Sequence, residues 1–391
     1  MRKFVAAAAL GAALLAGATG GRAQAVRGVT DKEVIIGTYT DLSGVTAMWG
    51  VNNMNAWRMV FDEANAAGGV NGRMIKHVIE DSQYQVPRAV QASNKLLNRD
   101  NVFAMVANGG TPMNNATMPE QLQKGVPNVF PLTSARSMYA PLHPLKFGLA
   151  ASYYDMMRAG VKLFVEQRGK KAICAMSQDT DFGRDIMEGV HDQMKVMNIK
   201  LVAETLHKPA DTDFTASVAR LRDAKCDLVL LGTIVRDTIQ IVAAARKTGW
   251  DVDFLGQVAI YDEAVAAAPG GVTEGIYALT SVLFAYPDDP RPRVKEFSDK
   301  YRKAFGKDPN FAAQIGHTAA SLVVLALKNA GRDLTPQSFV KGLEAIKDYE
   351  DAFGSPKLTY AADKHQGSNE SFLTVIKNGR WVPVSDKPYG Y

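Results

Sequence analysis

Glu33-Val-Ile-Ile-Gly-Thr-Tyr39 is a β-branched run closed by the turn residues Asp41, Ser43 and Gly44. Met54, Trp57, Phe61 and Ala64 then recur at helical spacing until Gly68-Gly69 stops the pattern. A strand that hands over to an amphipathic helix is half of a βαβ unit, and the alternation goes on. Val70-Asn71-Gly72-Arg73 reads as a turn, Met74 to Glu80 as a strand, and Pro87 to Arg99 as a helix with Val90, Leu96 and Leu97 inward. Val102 to Val106 is a short buried strand. Asn108-Gly109-Gly110-Thr111-Pro112 leads into another helix, and Val129-Phe130-Pro131 leads into Leu132-Thr133-Ser134. After residue 150 the rhythm restarts. Strands at Ala172 to Ser177, Leu201 to Thr205 and Asp227 to Leu231 alternate with helices at Phe182 to Met197, Phe214 to Ala224 and Asp237 to Thr248. Such alternation predicts an α/β fold of two doubly wound parallel-sheet lobes, with helices on both faces of each sheet. The Pro-rich break Asp288-Asp289-Pro290-Arg291-Pro292 precedes helices at Arg291 to Phe305 and Ala312 to Asn329. Strand signals return at Phe372 to Ile376 and Arg380 to Val384, around the turn Asn378-Gly379.

Upstream, Met1-Arg2-Lys3 is a short basic segment, Phe4 to Leu15 an apolar run, and Ala23-Gln24-Ala25 a small-x-small site. That is the layout of a secretory signal peptide. Its apolar core falls short of the ~20 residues that span a bilayer. Export is expected, with cleavage after Ala25. Residues 26–391 exceed what one core usually holds, so two domains are expected. Without Arg2, Lys3 and Arg22 the net charge falls from +5 to +2, which argues against nucleic acid or an anionic membrane surface as partner. Later apolar runs such as Leu322 to Leu327 read as buried helix, so no membrane-spanning segment is expected.

Cys174 and Cys226 fall on the first and third strands of the second lobe, which lie side by side in a doubly wound sheet. They either pair or remain buried thiols. With no Cys-x-x-Cys, a thiol redox role is not expected. The chain also lacks Gly-x-Ser-x-Gly, His-Glu-x-x-His, Gly-x-Gly-x-x-Gly and a Walker phosphate loop. Asp181-Phe182-Gly183 spells a kinase tripeptide without the other kinase motifs. His77, His143, His191, His207, His317 and His365 show no metal-ligand spacing. Nothing here proposes an enzyme, a cofactor or a metal.

The informative positions are the strand-to-helix turns, because ligands in open α/β sheets sit at the carboxyl ends of the strands. Gly109-Gly110-Thr111 and Leu132-Thr133-Ser134 join small residues to hydroxyls that, with backbone amides, can hold a carboxylate. Ordinary helix capping uses the same residue types.

Several stretches resemble a known family in the correct order. Ile36-Gly37, Leu42-Ser43-Gly44, Trp49-Gly50, Asn65-Ala66-Ala67-Gly68-Gly69-Val70-Asn71-Gly72-Arg73 and Asp81 resemble the opening of the periplasmic binding proteins of branched-chain amino-acid ABC transporters. Gln178-Asp179-Thr180-Asp181-Phe182-Gly183, Asp213-Phe214 and Gly249 continue the match. The resemblance implies a type I periplasmic binding fold with a three-segment hinge near Gly148–Ser152, Gly275–Ser281 and Ser355–Leu358. The lobes would be 26–149 plus 280–355, and 150–279 plus 356–391. It also implies that Gly110, Thr111, Thr133 and Ser134 bind a ligand carboxylate, while Trp49 and Phe182 line the cleft. A monomer serving ABC permease subunits from the periplasm is expected.

One departure from the family's pattern narrows the ligand. Where amino-acid-binding members carry an acid for the ammonium group, this chain places Val258, with Asp262 and Glu263 as the nearest replacements. An ammonium buried against Val258 would lose its water and gain no counter-charge, at a cost of several kcal/mol. Ile234 replaces another polar cleft residue. With Trp49, Phe182, Ile234, Val258 and Tyr261, the expected pocket is apolar and aromatic, with hydroxyls at one end. It suits an aromatic or otherwise apolar carboxylate. The alternatives are a branched-chain or other apolar amino acid, or a ligand-sensing role for a membrane receptor.

Overall fold

The computed structural model describes residues 25–391; apart from Ala25, the expected signal peptide lies outside the described residues. The first half runs β1 (Glu33–Thr40), α1 (Ala47–Ala66), β2 (Met74–Asp81), α2 (Val86–Asn98), β3 (Ala104–Val106), α3 (Thr111–Gln123), β4 (Asn128–Val129) and β5 (Lys146–Phe147). The second runs α4 (Tyr153–Arg168), β6 (Ile173–Gln178), α5 (Asp181–Val196), β7 (Ala203–His207), α6 (Thr215–Asp223), β8 (Leu228–Gly232), α7 (Val235–Lys247), β9 (Asp253–Gly256), α8 (Glu263–Ala266) and β10 (Tyr277–Thr280). Three helices, α9 (Pro292–Phe305), α10 (Phe311–Ala330) and α11 (Pro336–Glu344), precede β11 (Phe372–Lys377) and β12 (Arg380–Pro383).

The strands form two sheets. The first has the order β2-β1-β3-β4-β5 and is parallel throughout. The second repeats that order as β7-β6-β8-β9-β10, and extends it with the antiparallel pair β11 and β12. Side chains leave β1 alternately. Val34 and Ile36 pack with Trp57 of α1 and Leu322 and Val323 of α10, whereas Tyr39 packs with Ala89 and Leu96 of α2. The second lobe is buried on both faces, and β6 and β8 have no exposed residue. In each sheet the order reverses beside the first strand, between β1 and β3 and between β6 and β8. At such a switch point the flanking turns diverge and leave a crevice at the strand ends.

Two further observations concern the packing within each lobe. Cys174 on β6 and Cys226 just before β8 form a disulfide with a Cα–Cα distance of 5.8 Å, which decides between the two alternatives. Helix α10 comes back to lie along α1, close enough that a Cβ on Gly316 would sit 2.7 Å from the Asn53 carbonyl oxygen. The last passage between sheets comes later than the expected Ser355–Leu358. Leu358 and Tyr360 still pack in the first lobe's core with Phe130 and Phe147, and the Tyr360 hydroxyl donates to the Leu149 carbonyl at 2.8 Å. Their apolar surface belongs to the first lobe, so the chain crosses only on its way to β11.

Candidate functional site

A cavity lies where the two switch points face each other. It contains ≈ 1200 Å³ of space, part of it open to solvent. The turns after β1, β3 and β4 form most of its first-lobe wall, and the segments after β6, β8, β9 and β10 its second-lobe wall.

The first wall gathers the two hydroxyl turns. Gly109 bridges to Leu132 in parallel register, the Gly110 N–H donates to the Leu132 carbonyl at 3.2 Å, and the Thr111 and Thr133 hydroxyls meet at 2.7 Å. Gly110 has φ 86°, a conformation that favours glycine and turns the chain into α3. Among the described residues no side chain caps α3, and because Pro112 has no N–H and the Gly110 N–H is bonded to Leu132, the uncapped donors at its start are the N–H groups of Thr111 and Met113. Thr111 is therefore not an ordinary cap. Tyr153 joins this end from the start of α4. Burial pushes its phenol up, while the neighbouring Thr133 side chain and Ser134 backbone draw it down.

The second wall is mainly apolar: Phe182, Ile234, Val235, Val258 and Ala259 line it, with the Ser281 hydroxyl as the polar exception. Phe182 meets Tyr153 edge-on at 5.2 Å between ring centroids. Helices α5 and α7 begin at this wall, and among the described residues neither has a side-chain cap. Three helix N-termini thus converge on one cavity, each with the partial positive charge of its dipole. Among the described residues, no Lys, Arg or His side chain lines it.

Of the expected site residues, Trp49, Gly110, Thr111, Thr133, Ser134, Phe182, Ile234 and Val258 all line the cavity. Tyr261 does not. Phe311, at the start of α10, stands in front of it, with ring centroids 4.8 Å apart, and itself meets Trp49 at 5.9 Å. The Tyr261 hydroxyl is occupied by the Phe284 N–H at 3.0 Å, so its role is to hold the cavity wall. Neither proposed replacement acid reaches the cavity. Asp262 accepts the Ala264 N–H at the start of α8, and burial raises its carboxyl to about 6; Glu263 is exposed. The one acid among the lining residues is Asp41. It accepts N–H bonds from Ser43, Gly44 and Thr46 and the Thr46 hydroxyl, which occupies both of its oxygens.

Sequence reasoning missed Phe311, Tyr84, Tyr139 and Tyr153 as cavity residues. Tyr153 follows directly on the expected crossover at Gly148–Ser152, and Tyr84 follows the strand ending at Asp81, so both carried a positional signal. Phe311 carried none, because α10 reaches the cleft only through its packing on α1.

The cleft is shut. The Asn115 side chain on α3 donates to Asp181 at 2.9 Å, and the Arg136 N–H donates to the Asp185 carboxylate at 2.9 Å. The Arg136 guanidinium pairs with Glu188 and lies 4.1 Å above the Tyr154 ring.

Comparison with known proteins agrees with this architecture. A family model described as periplasmic binding protein matches residues 33–380. A leucine-, isoleucine-, valine-, threonine- and alanine-binding protein of Pseudomonas aeruginosa is 24% identical over 310 residues, covering 78% of this chain and 80% of that one. Among solved structures, the fatty acid ABC transporter substrate-binding protein of Thermomonospora curvata superposes with a TM-score of 0.82 and 24% identity, over 94% of each chain. A solute-binding protein of R. palustris in complex with benzoate gives 0.79 and 17% identity, over 91% of this chain and 97% of that one.

Proposed function

We propose a function from one premise: this chain belongs to the periplasmic binding protein family, whose model spans residues 33–380. It is an exported solute-binding protein that captures a small aromatic or apolar carboxylate between its lobes and delivers it to ABC permease subunits. The observation that carries this reading is the charge inventory of the cavity. The uncapped N-terminus of α3 and the hydroxyls favour an anion at the first wall, and among the described lining residues no acid side chain is left to receive an ammonium. A zwitterionic amino acid would bury its ammonium unpaired. A carboxylate with an apolar body matches both walls.

The Pseudomonas relative's name favours the second reading, a branched-chain amino acid. The two readings separate in a thermal-shift screen of benzoate and cinnamate against leucine, isoleucine and valine. A ligand at ~100 times its Kd stabilises the folded protein by ~2.7 kcal/mol. Benzoate or cinnamate should raise the melting temperature and the three amino acids should not. Micromolar leucine, isoleucine or valine binding with no response to the aromatic acids would overturn the carboxylate reading.

A further inference from the structure

Between β2 and α2 the chain does something costly. Gln83 and Tyr84 both have positive φ, 50° and 55°, a conformation that side chains other than glycine and asparagine seldom adopt even singly. Backbone strain of this kind persists only when the surroundings over-determine it. Here they do. The Asp81 carboxylate accepts the N–H of Gln83 at 2.9 Å, that of Leu42 at 2.9 Å and the Ser43 hydroxyl at 2.6 Å, while the Ser82 N–H donates to Thr40. The loop after β2 is thereby stitched to the loop after β1, and the pair holds Tyr84 over the cavity.

The Tyr84 ring lies across the start of α3. A Cβ on Gly110 would come within 3.0 Å of its Cε2, so the ring edge rests on the glycine that opens the uncapped helix. Tyr139, by contrast, has its hydroxyl tied to Ser152 at 3.2 Å. Among the described residues the Tyr84 hydroxyl has no hydrogen-bond partner. Burial, and the nearby Tyr153, Asp237 and Asp41, push its phenol well up, so it keeps its proton and remains a donor.

We propose that Tyr84 is a specificity-determining residue, whose hydroxyl donates to the ligand carboxylate beside the Gly110–Thr111 turn. This rests on the carboxylate reading of the cavity and extends the anchor to a loop that no hydroxyl turn marks. A hydroxyl bonds an ionised carboxylate more strongly than a neutral carboxamide, so it favours the acid without a cation in an apolar site.

The test is Tyr84→Phe, which removes one oxygen and keeps the ring on Gly110. Titration calorimetry with benzoate, benzamide and L-leucine is compared for the wild-type protein and the variant, together with the ligand-free melting temperature. The expected result is a 10- to 100-fold weaker benzoate Kd, an unchanged melting temperature and a smaller benzoate-over-benzamide preference. That preference would not move if Tyr84 only supported the loop. Should the wild-type protein bind leucine and not benzoate, the ligand class is wrong, and the same loss must appear on leucine's carboxylate. A benzoate or leucine Kd within twofold of wild type overturns the assignment, as does wild-type binding of neither probe.

Discussion

The two walls of the cavity come from sheets with the same strand order and from helices that start at the same relative places, yet their chemistry is opposite. In the first lobe the turns show hydroxyls and backbone amides to the cavity. In the second lobe several polar groups near the equivalent turns are bonded to one another beneath the surface. Asp237 accepts from the Gln178 amide at 3.0 Å, meets His207 at 3.1 Å and pairs with Arg236, and Thr233 bonds Thr238 at 2.6 Å. What these turns leave for the cavity is Phe182, Ile234 and Val258, with the Ser281 hydroxyl after β10, unpartnered among the described residues, as the polar exception. Topology therefore decides where a ligand sits, and a few residues at each strand end decide which part of it each wall receives: the acid group toward the first lobe, the apolar body toward the second.

The sharpest way to break that comparison is to remove the first wall's hydroxyls. Thr111→Ala with Ser134→Ala deletes two donors to a charged group, each worth ~1.5–3 kcal/mol. Benzoate binding measured calorimetrically should weaken by about 3 kcal/mol or more. Unchanged affinity would detach these turns from the ligand. The reciprocal change attacks the second wall. Val258→Glu places an acid among Phe182, Ile234 and Ala259, where it either stays ionised and unpaired or takes up a proton. Benzoate should lose about 2 kcal/mol in either case, since a group of this kind left unsatisfied costs ~1–3 kcal/mol. Leucine should gain relative to it. Equal tolerance of an acid and a valine at position 258 would mean that the ligand's apolar body lies elsewhere.

The same division explains what the sequence made legible. Each lobe's alternation is local, since β-branched runs and 3.6-residue spacing report on neighbours in the chain. The strands expected at 33–39 and 74–80 and the helices at 87–99 and 182–197 accordingly lie within a residue or so of those observed. The hydroxyl turns were readable for the same reason, being short motifs at strand ends. The far side of the cavity was not. Phe311 stands in front of Tyr261 because α10 packs against α1, a contact between residues more than 250 positions apart that no local pattern encodes. Asp262, close to Val258 in the chain, is turned away from the cavity because the Trp381 indole donates to its carbonyl and its carboxylate starts α8. Tyr84 was hidden by the opposite effect. Its place depends on two residues held in a backbone conformation that their identities do not advertise.

The smallest expected effect concerns the seam where the two walls meet. Asp185, on α5, takes the Arg136 N–H from the first lobe. Burial raises its carboxyl from the usual range to about 7, the Arg136 N–H and guanidinium draw it down, and Glu188 and Asp155 push it up. Its second oxygen is buried without a partner among the described residues. A carboxyl whose pKa is higher in the closed form binds a proton on closing. Closure is then favoured below about pH 7, and this contribution is lost as pH rises through 7. Benzoate stays ionised down to about pH 5, as ordinary carboxyls titrate near 4. Its affinity should therefore be higher at pH 5.5 than at pH 8, by less than tenfold because Asp185 is only partly buried. Asp262, raised to about 6, titrates inside the second lobe and shifts folding stability in the same direction, but it takes no part in closing. Calorimetry at the two pH values, run on the wild-type protein and on Asp185→Asn, separates these contributions. The amide should bind with little pH dependence between 5.5 and 8. If wild type and Asp185→Asn show the same pH profile, the seam between the walls is indifferent to protons, and closing is governed by the cavity alone.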